Sequence, residues 1–252
     1  MTRPARRTTR LLAPAAAVVG ALGLVACGGS DDPQPPTSSS AASSSAQAGE
    51  ETTPEMLDKP EQQQVDAATA KAALPTIEDM PDDGWGIDIS TFSDEPITFD
   101  PAVCADVELA SQEARSFDDE HRKVDEAARF STPQSRGGLI TATYVESFDA
   151  PFPTSILDAA GEHVTDCATY TWTKSGSTST RHVKAISVPP LGDRSFGVRL
   201  WSDGTDSFTD RLYVRSGHNL ITVMTLSKED TYDGELMTKY ASDILDKLKE
   251  TP

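Results

Sequence analysis

The residues best suited to acid–base or metal chemistry are four histidines, because imidazole titrates near neutral pH and binds transition metals. They are His121, His163, His182 and His218. None of them stands in His-x-x-x-His spacing or in the His-Glu-x-x-His pattern of zinc proteases. We interpret them as structural or surface residues, and we predict no catalytic residue, no metal and no cofactor.

The usual motifs of nucleophilic and phosphate chemistry are also missing from the sequence. There is no Gly-x-Ser-x-Gly elbow for a serine nucleophile and no glycine-rich loop of the Gly-x-x-x-x-Gly-Lys or Gly-x-Gly-x-x-Gly type. A catalytic triad can still assemble from residues that are distant in sequence. The sequence therefore favours a protein that is not an enzyme, with a hydrolase of unrecognised site as the weakest alternative.

Two groups of acidic residues have the oxygen ligands that calcium prefers. One occupies the stretch 78–83, and the other comprises Asp203, Asp206 and Asp210. Neither follows the spacing of an EF-hand loop. We interpret both groups as surface charge that keeps the domain soluble and monomeric, and calcium binding is the alternative.

Residues 1–26 have the pattern of a bacterial lipoprotein signal peptide. Four arginines within the first ten residues precede an apolar stretch that is too short for a stable membrane span. That stretch ends in Leu24-Val25-Ala26-Cys27, a lipobox in which the Cys27 thiol receives a diacylglycerol, with palmitate as the expected acyl group. We predict a chain anchored by lipid at the extracytoplasmic face of the cell membrane. The alternative is an ordinary signal peptide with an incidental cysteine.

Lipidation of Cys27 leaves Cys104 and Cys167 as the two remaining cysteines. Two thiols in an exported, oxidising compartment commonly form a disulfide. A metal-binding or redox pair is the alternative, but the sequence has no Cys-x-x-Cys motif. We therefore predict a Cys104–Cys167 disulfide.

The formal net charge of −18 argues against a nucleic-acid-binding protein, because phosphate backbones select basic surfaces. Removal of residues 1–26 takes away four of the 22 basic residues and none of the 40 acidic ones, so the charge becomes −22. Residues 27–60 are predicted to form the lipidated cysteine and a flexible tether rich in Ser, Pro and acids. Residues 61–74 form a short helix or extend this linker, and residues 75–252 form the extracytoplasmic domain.

Alternating and helical periodicities divide this domain into short strands and a few helices. Hairpin turns join many of the strands, and an apolar stripe of period 3.6 marks the C-terminal helix. The pattern predicts a single α+β domain, in which a twisted antiparallel sheet packs against two or three helices. The predicted strands are 85–89, 124–131, 138–148, 167–173, 180–188, 194–201, 209–216 and 219–226; the predicted helices are 101–114, with Asp100 as its N-cap, 154–167 and 233–249.

Three tryptophans, Trp85, Trp172 and Trp201, stand at strand positions. Large aromatic side chains at such positions usually fill a core. Their rings can also line a groove that accepts a ligand. We name the three as candidate cleft-lining residues, with a place in the core as the alternative.

Several short motifs resemble those of a known family. They are Pro-x-x-Cys at Pro101–Cys104, a Trp-bearing strand after Cys167, Leu191-Gly192-Asp193, and the turn Val214–Asn219 before an apolar strand. The set resembles the extracellular sensor domains of PknH-type mycobacterial kinases and related actinobacterial lipoproteins. The resemblance implies a twisted antiparallel sheet with helices, a cleft for an unknown ligand and no catalytic residues. The chain departs from those kinase domains in having one cysteine pair where they carry two disulfides, and we expect no coupling to a kinase within it.

These observations together predict a cell-envelope lipoprotein whose domain is a non-enzymatic ligand-binding or sensor-like module. The expected ligand is a small apolar or envelope-derived molecule or a protein partner, and no nucleic acid. The alternative is a protein-interaction or scaffold subunit of an envelope complex, which would need an exposed apolar patch.

Overall fold

The computed structural model describes residues 55–90, 97–228 and 233–250, which fold around one antiparallel sheet. The predicted signal peptide, the lipidation site Cys27 and most of the predicted tether lie outside the described residues. No helix within the described ranges combines the length and the apolar character that crossing a membrane requires.

The sheet has nine strands in the spatial order β1-β3-β4-β9-β8-β7-β6-β5-β2, and all neighbours are antiparallel. Strands β5 to β9 follow one another as a meander, and the β3–β4 hairpin adds to its β9 edge. The predicted α+β domain with an antiparallel sheet is confirmed. The strands are β1 Gly86–Ile87, β2 Ile97–Asp100, β3 Arg122–Ser131, β4 Ile140–Phe148, β5 Thr169–Lys174, β6 Ser177–Ala185, β7 Arg194–Ser202, β8 Phe208–Ser216 and β9 Asn219–Ser227.

Helices cover both faces of the sheet. Since successive residues of a strand point to opposite faces, the central strands β4, β8 and β9 contribute to two separate cores. The first face packs against α1 and α4, where Leu212 and Val214 of β8 meet Tyr240 and Ile244 of α4. The α-helices are α1 Ala67–Ala73, α2 Gln112–His121, α3 Thr154–His163 and α4 Gly234–Lys249; the 3-10 helices are Pro60–Gln62, Ile77–Asp79, Ala102–Glu108 and Gln134–Arg136.

The second face packs against α2, α3 and the 3-10 helix Ala102–Glu108. Val198 and Leu200 of β7 contribute to this core together with residues of α3. The predicted disulfide between Cys104 and Cys167 lies inside the same core, with both cysteines buried and their Cα atoms 5.5 Å apart. It joins the 3-10 helix to the segment that precedes β5.

The structure corrects the helix predicted at 101–114. Asp100 is the last residue of β2 instead of a helix N-cap. The 3-10 helix that follows ends at Leu109, whose φ of 51° lies in the left-handed region. A separate α-helix, α2, then begins because the Ser111 side chain caps its first turn.

Three other boundaries differ from the sequence-based prediction. Strand β1 is paired only at Gly86–Ile87, and the side chains of Ile87 and Ile89 are 71% and 90% exposed, so no core fixes the rest of the predicted strand. Strand β2 was not predicted, because its alternation extends over only four residues. The helix predicted to reach Cys167 ends at His163.

The folded unit begins upstream of residue 75. Within 61–74, the alternative of a short helix is realised, because α1 packs on the first face. Ala70, Ala73 and Leu74 are buried there. These residues are therefore part of the core rather than an extension of the linker.

The segment before α1 is bound to the turn between β8 and β9. The Asn219 side-chain amide donates hydrogen bonds to the backbone carbonyls of Glu61 and Gln63 at 2.9 and 2.7 Å. The buried guanidinium of Arg215 forms an ion pair with Glu55, where Nη1 lies 2.8 Å from Oε1. We call these contacts the N-terminal clamp; they fix the start of the described chain to the centre of the sheet.

Replacement of both Cys104 and Cys167 by Ser should lower the free energy of unfolding, because the bridge closes a long loop in the unfolded chain. For the sequence separation of 63 residues, loop-closure entropy gives about 4 kcal/mol as an upper value. Urea denaturation of the full-length protein measures the loss. Reduced wild type should match the double variant, and alkylation of unreduced wild type at Cys104 would contradict the prediction.

Candidate functional site

A buried carboxylate with three polar partners lies between the second face and its helices. Glu108 ends the 3-10 helix, and its side chain is only 5% exposed. Arg181 donates from Nη1 to both carboxylate oxygens at 2.7 and 2.8 Å, and Arg211 donates from Nη1 to Oε2 at 3.1 Å. The Tyr170 hydroxyl donates to Oε1, and the Tyr213 hydroxyl accepts from Arg211 at 3.3 Å. We call these five residues the Glu108 cluster.

Strand alternation brings the partners of Glu108 to one face. Tyr170 of β5 stands directly opposite Arg181 of β6, so both side chains point to the second face. Arg211 and Tyr213 are two residues apart on β8 and share that face as well. The Arg181 guanidinium lies 4.0 Å above the ring centre of Trp172, a cation–π contact that orients it further.

The cluster carries a net positive charge. Burial opposes ionisation of Glu108, but the charges of Arg211 and Arg181 outweigh it and hold the pKa of Glu108 below its ordinary value. Burial and then the Glu108 charge raise the pKa of Tyr170, so this phenol stays neutral. One carboxylate therefore faces two guanidinium groups, which leaves one positive charge unmatched within the cluster.

A cavity of about 210 Å³ lies beside the cluster, between the second face and α2. Three carboxylates line it, those of Glu108, Asp118 and Glu146. We call it the acidic cavity. Its other lining residues are Leu109, Ala114, Arg115, Phe148, Phe152, Tyr213, Leu220 and Thr222.

The Glu146 carboxyl is poised to titrate near neutral pH. Burial, and then the neighbouring charges of Asp118 and Asp125, raise its pKa to about 7 against the effect of Arg122. Arg122 is shared, because its guanidinium lies 3.0 Å from Glu146, 3.2 Å from Asp118 and 3.3 Å from Asp125. A single cation thus serves three carboxylates, so protonation of one of them relieves repulsion.

A second cavity, of about 190 Å³, lies on the other side of the cluster near the turn between β7 and β8. Arg181 and Arg211 line it together with four hydroxyl side chains. We call it the arginine cavity. The remaining lining residues are Leu200, Trp201, Ser202, Thr205, Ser207, Thr209 and Leu226.

The three predicted cleft-lining tryptophans do not meet in one cleft. Trp172 pairs with Ser179 across the strands and points to the second face, beneath Arg181. Trp201 pairs with His182 and stacks on its ring at the opposite face, although it borders the arginine cavity. Trp85 lines a separate cavity of about 110 Å³ beside α4. Strand alternation, which the sequence shows only locally, separates these side chains.

The four histidines are dispersed, and each has a local polar partner. His121 contacts Asp149 at 2.8 Å, His163 contacts Asp106 at 3.0 Å, His182 contacts Asp203 at 2.7 Å and His218 contacts the Phe148 carbonyl at 2.9 Å. None of them lines the acidic cavity or the arginine cavity. Their contacts fix loops and strand ends.

The two acidic groups are also occupied with protein partners. In the first, Asp82 pairs with Arg136 at 2.9 Å. In the second, Asp210 forms a buried ion pair with Arg199 at 2.7 Å, and Asp203 contacts a histidine. In the part of the chain that the structure describes, no three His, Cys, Asp or Glu side chains are placed to bind a metal ion.

Sequence reasoning missed the Glu108 cluster. Arg181 and Arg211 lie inside predicted strands, where a charged residue is usually interpreted as facing solvent. The sequence signal for the cluster lies in β8, where Leu212 and Val214 point to one face of the sheet. Arg211 and Tyr213 point to the other face, so an arginine lies in a strand that is covered on both faces. A buried arginine requires a carboxylate partner.

Substitution of Glu146 by Gln should stabilise the protein at pH 8. A carboxyl with a raised pKa stabilises the fold while protonated, so its contribution is lost as pH rises from about 4.5 through about 7. The stability gap between Glu146→Gln and wild type should therefore grow by about 2 kcal/mol between pH 5 and pH 8. Urea denaturation at both pH values measures it, and an equal gap at the two values would show that Glu146 is ionised throughout.

Comparison with known proteins gives the fold but no family. No family model matches the chain, and no curated protein matches it. Among solved structures, the extracellular domain of PknH from Mycobacterium tuberculosis has a TM-score of 0.56 at 16% identity, over 75% of this chain and 100% of that one. A putative uncharacterized protein from Mycobacterium smegmatis has a TM-score of 0.39 at 13% identity, over 71% of this chain and 98% of that one. The predicted resemblance to the PknH-type extracellular domain is thus confirmed for the fold.

Proposed function

We propose that this protein is an extracytoplasmic, lipid-anchored, sensor-like domain that binds a small ligand on the second face of its sheet and catalyses no reaction. The fold it has in common with the PknH extracellular domain supports a sensor-like role. The Cys104–Cys167 disulfide supports an oxidising compartment outside the cytoplasm. The lipobox at Cys27 supports attachment by lipid.

The observation that carries the binding role is the Glu108 cluster between its two cavities. A buried ion cluster rarely stabilises a fold better than an apolar core of the same volume. Cavities lined by ionisable groups with shifted pKa values are characteristic of functional sites. In this protein the two features coincide on one face of the sheet.

The character of the two cavities changes the expected ligand. The sequence predicted a small apolar or envelope-derived molecule, but charged and hydroxyl side chains contribute to both linings. Each apolar wall, such as that formed by Phe148 and Phe152, is accompanied by ionisable groups. We therefore propose a polar or charged ligand.

A second candidate function, protein interaction, is favoured by the edge strand β1. This two-residue strand has one described neighbour, β3, and the side chains of Ile87 within it and of Ile89 just after it are exposed. An open edge with exposed apolar residues can pair with a strand of another protein. Such a role would make the domain a scaffold subunit.

Replacement of Cys27 by Ala should abolish lipid attachment, because the thiol is the acceptor of the diacylglycerol. Labelling cells with a palmitate analogue and determining the mass of the N-terminal peptide measure this. Ser30→Ala, three residues away, is the matched control and should keep the label. Label that persists in Cys27→Ala would contradict lipidation at this residue.

Nuclear magnetic resonance of the full-length protein with a panel of anionic, cationic and neutral small molecules tests the binding role. Binding should shift backbone signals of Tyr213, Thr222 or Arg211, which surround the two cavities. Ile87 reports the β1 edge. Failure of every class to shift the cavity signals would overturn the binding role, and a protein partner that shifts Ile87 alone would support the scaffold.

A further inference from the structure

The arginine cavity has an unusual composition for this protein. The chain has a formal net charge of −18, yet no carboxylate lines this cavity within the described residues. Its charged groups are Arg181 and Arg211, and its polar groups are the hydroxyls of Ser202, Thr205, Ser207 and Thr209. The lining therefore consists of hydrogen-bond donors and positive charge.

Both arginines keep donors that Glu108 does not use. Arg181 contacts the carboxylate only through Nη1, and so does Arg211. Their Nε and Nη2 groups have no hydrogen bond to any described residue, and they are not enclosed, since none is among the buried polar atoms without a partner. The two side chains are 17% and 25% exposed. The two arginines that line the arginine cavity therefore keep donors that a ligand could use.

Glu108 holds the two arginines of the cavity in place. Its carboxylate orients two guanidinium groups while it neutralises only one of them, and its own side chain is 5% exposed. The β7–β8 turn carries two aspartates, Asp203 and Asp206; both are exposed and neither lines the cavity, and Asp203 lies 2.7 Å from His182. The two arginines are thus preorganised, and one positive charge is available to a ligand.

We propose that the arginine cavity binds the phosphate group of a small phosphorylated molecule, through the side chains of Arg181 and Arg211. Guanidinium groups match phosphate oxygens in geometry and form charge-assisted hydrogen bonds with them. Serine and threonine hydroxyls can donate to the remaining oxygens. A volume of about 190 Å³ gives room for a phosphate group with a small substituent. This inference rests on the proposed binding role and names the ligand class for one of its two cavities.

The acidic cavity serves as an internal control for phosphate binding in the arginine cavity. Its lining has three carboxylates, those of Glu108, Asp118 and Glu146, against one arginine, Arg115, so it is less favourable to the same group. A phosphorylated ligand should therefore shift the signals of Thr205 and Thr209 in the arginine cavity. The signals of Asp118 and Glu146 should stay unchanged.

Titration of the full-length protein with inorganic phosphate, at constant ionic strength and followed by nuclear magnetic resonance, tests this inference. Ser207→Asp places a negative charge in the cavity without touching the Glu108 contacts, and it should weaken binding by at least about tenfold. Ser177→Asp makes the same change at an exposed position of β6 and should leave binding within about twofold. Absence of phosphate binding in wild type, or equal effects of the two variants, would overturn the inference.

A charge-conserving pair tests the arginine geometry. Arg181→Lys keeps the positive charge but loses the fork of donors, so phosphate affinity should fall by about tenfold. Arg194→Lys alters an exposed arginine of β7 and should have no effect on binding. Thermal unfolding of each variant establishes that it is folded. Arg181→Lys with unchanged affinity, in a folded protein, would remove Arg181 from the site.

The source of the phosphate group is distinguished by two further probes. Glycerol 3-phosphate represents a free metabolite, and a water-soluble short-chain phosphatidylglycerol represents a lipid headgroup. Binding of either probe that is lost in Ser207→Asp supports the inference and identifies the source. If phosphate and both probes fail while another small molecule shifts Tyr213 or Thr222, the inference is wrong and the proposed binding role stands.

Discussion

The contact between Glu108 and its two arginines determines how the second layer of this protein is placed. The 3-10 helix Ala102–Glu108 is short, and it is held at one position by the disulfide at Cys104 and at its end by the buried carboxylate. The partners of that carboxylate come from β5, β6 and β8, so the contact ties the helix to three strands at once. A carboxylate buried without these partners would be strongly destabilising. The gaps on either side of this attachment are the two cavities.

Two buried ion clusters in the same sheet illustrate what separates a structural pair from a site. Arg199 and Asp210 form an ion pair on the first face, with two hydrogen bonds of 2.7 and 2.8 Å and side chains 1% and 3% exposed. Each Asp210 oxygen accepts a hydrogen bond from Arg199, and the Asp210 side chain borders the small cavity beside α4. The Glu108 cluster has two cations for one anion, and both cations reach a cavity. The excess of cations over anions, rather than burial alone, distinguishes the Glu108 cluster from the Arg199–Asp210 pair.

The sequence predicts the parts of the fold that depend on local patterns. The hairpins at β6 to β9, the apolar stripe of α4 and the Cys104–Cys167 bridge each have a signal within one segment or one residue type. The 3-10 helix does not, because Leu109 adopts a left-handed conformation that only the surrounding contacts select. The Glu108 cluster could not be predicted from the sequence for a related reason. Arg181 is 73 residues and Arg211 is 103 residues from Glu108. Only the strand order brings such distant residues together.

The N-terminal clamp has a mechanical consequence. A pull on the chain upstream of Glu55 reaches the domain at Arg215 and Asn219, which belong to β8 and β9. These strands lie at the middle of the nine-stranded sheet and have hydrogen-bonded neighbours on both sides. Tension on the chain upstream of Glu55 therefore acts first on interior strands of the sheet and not on an edge strand. The clamp contacts transmit that tension to these strands before it passes to α1.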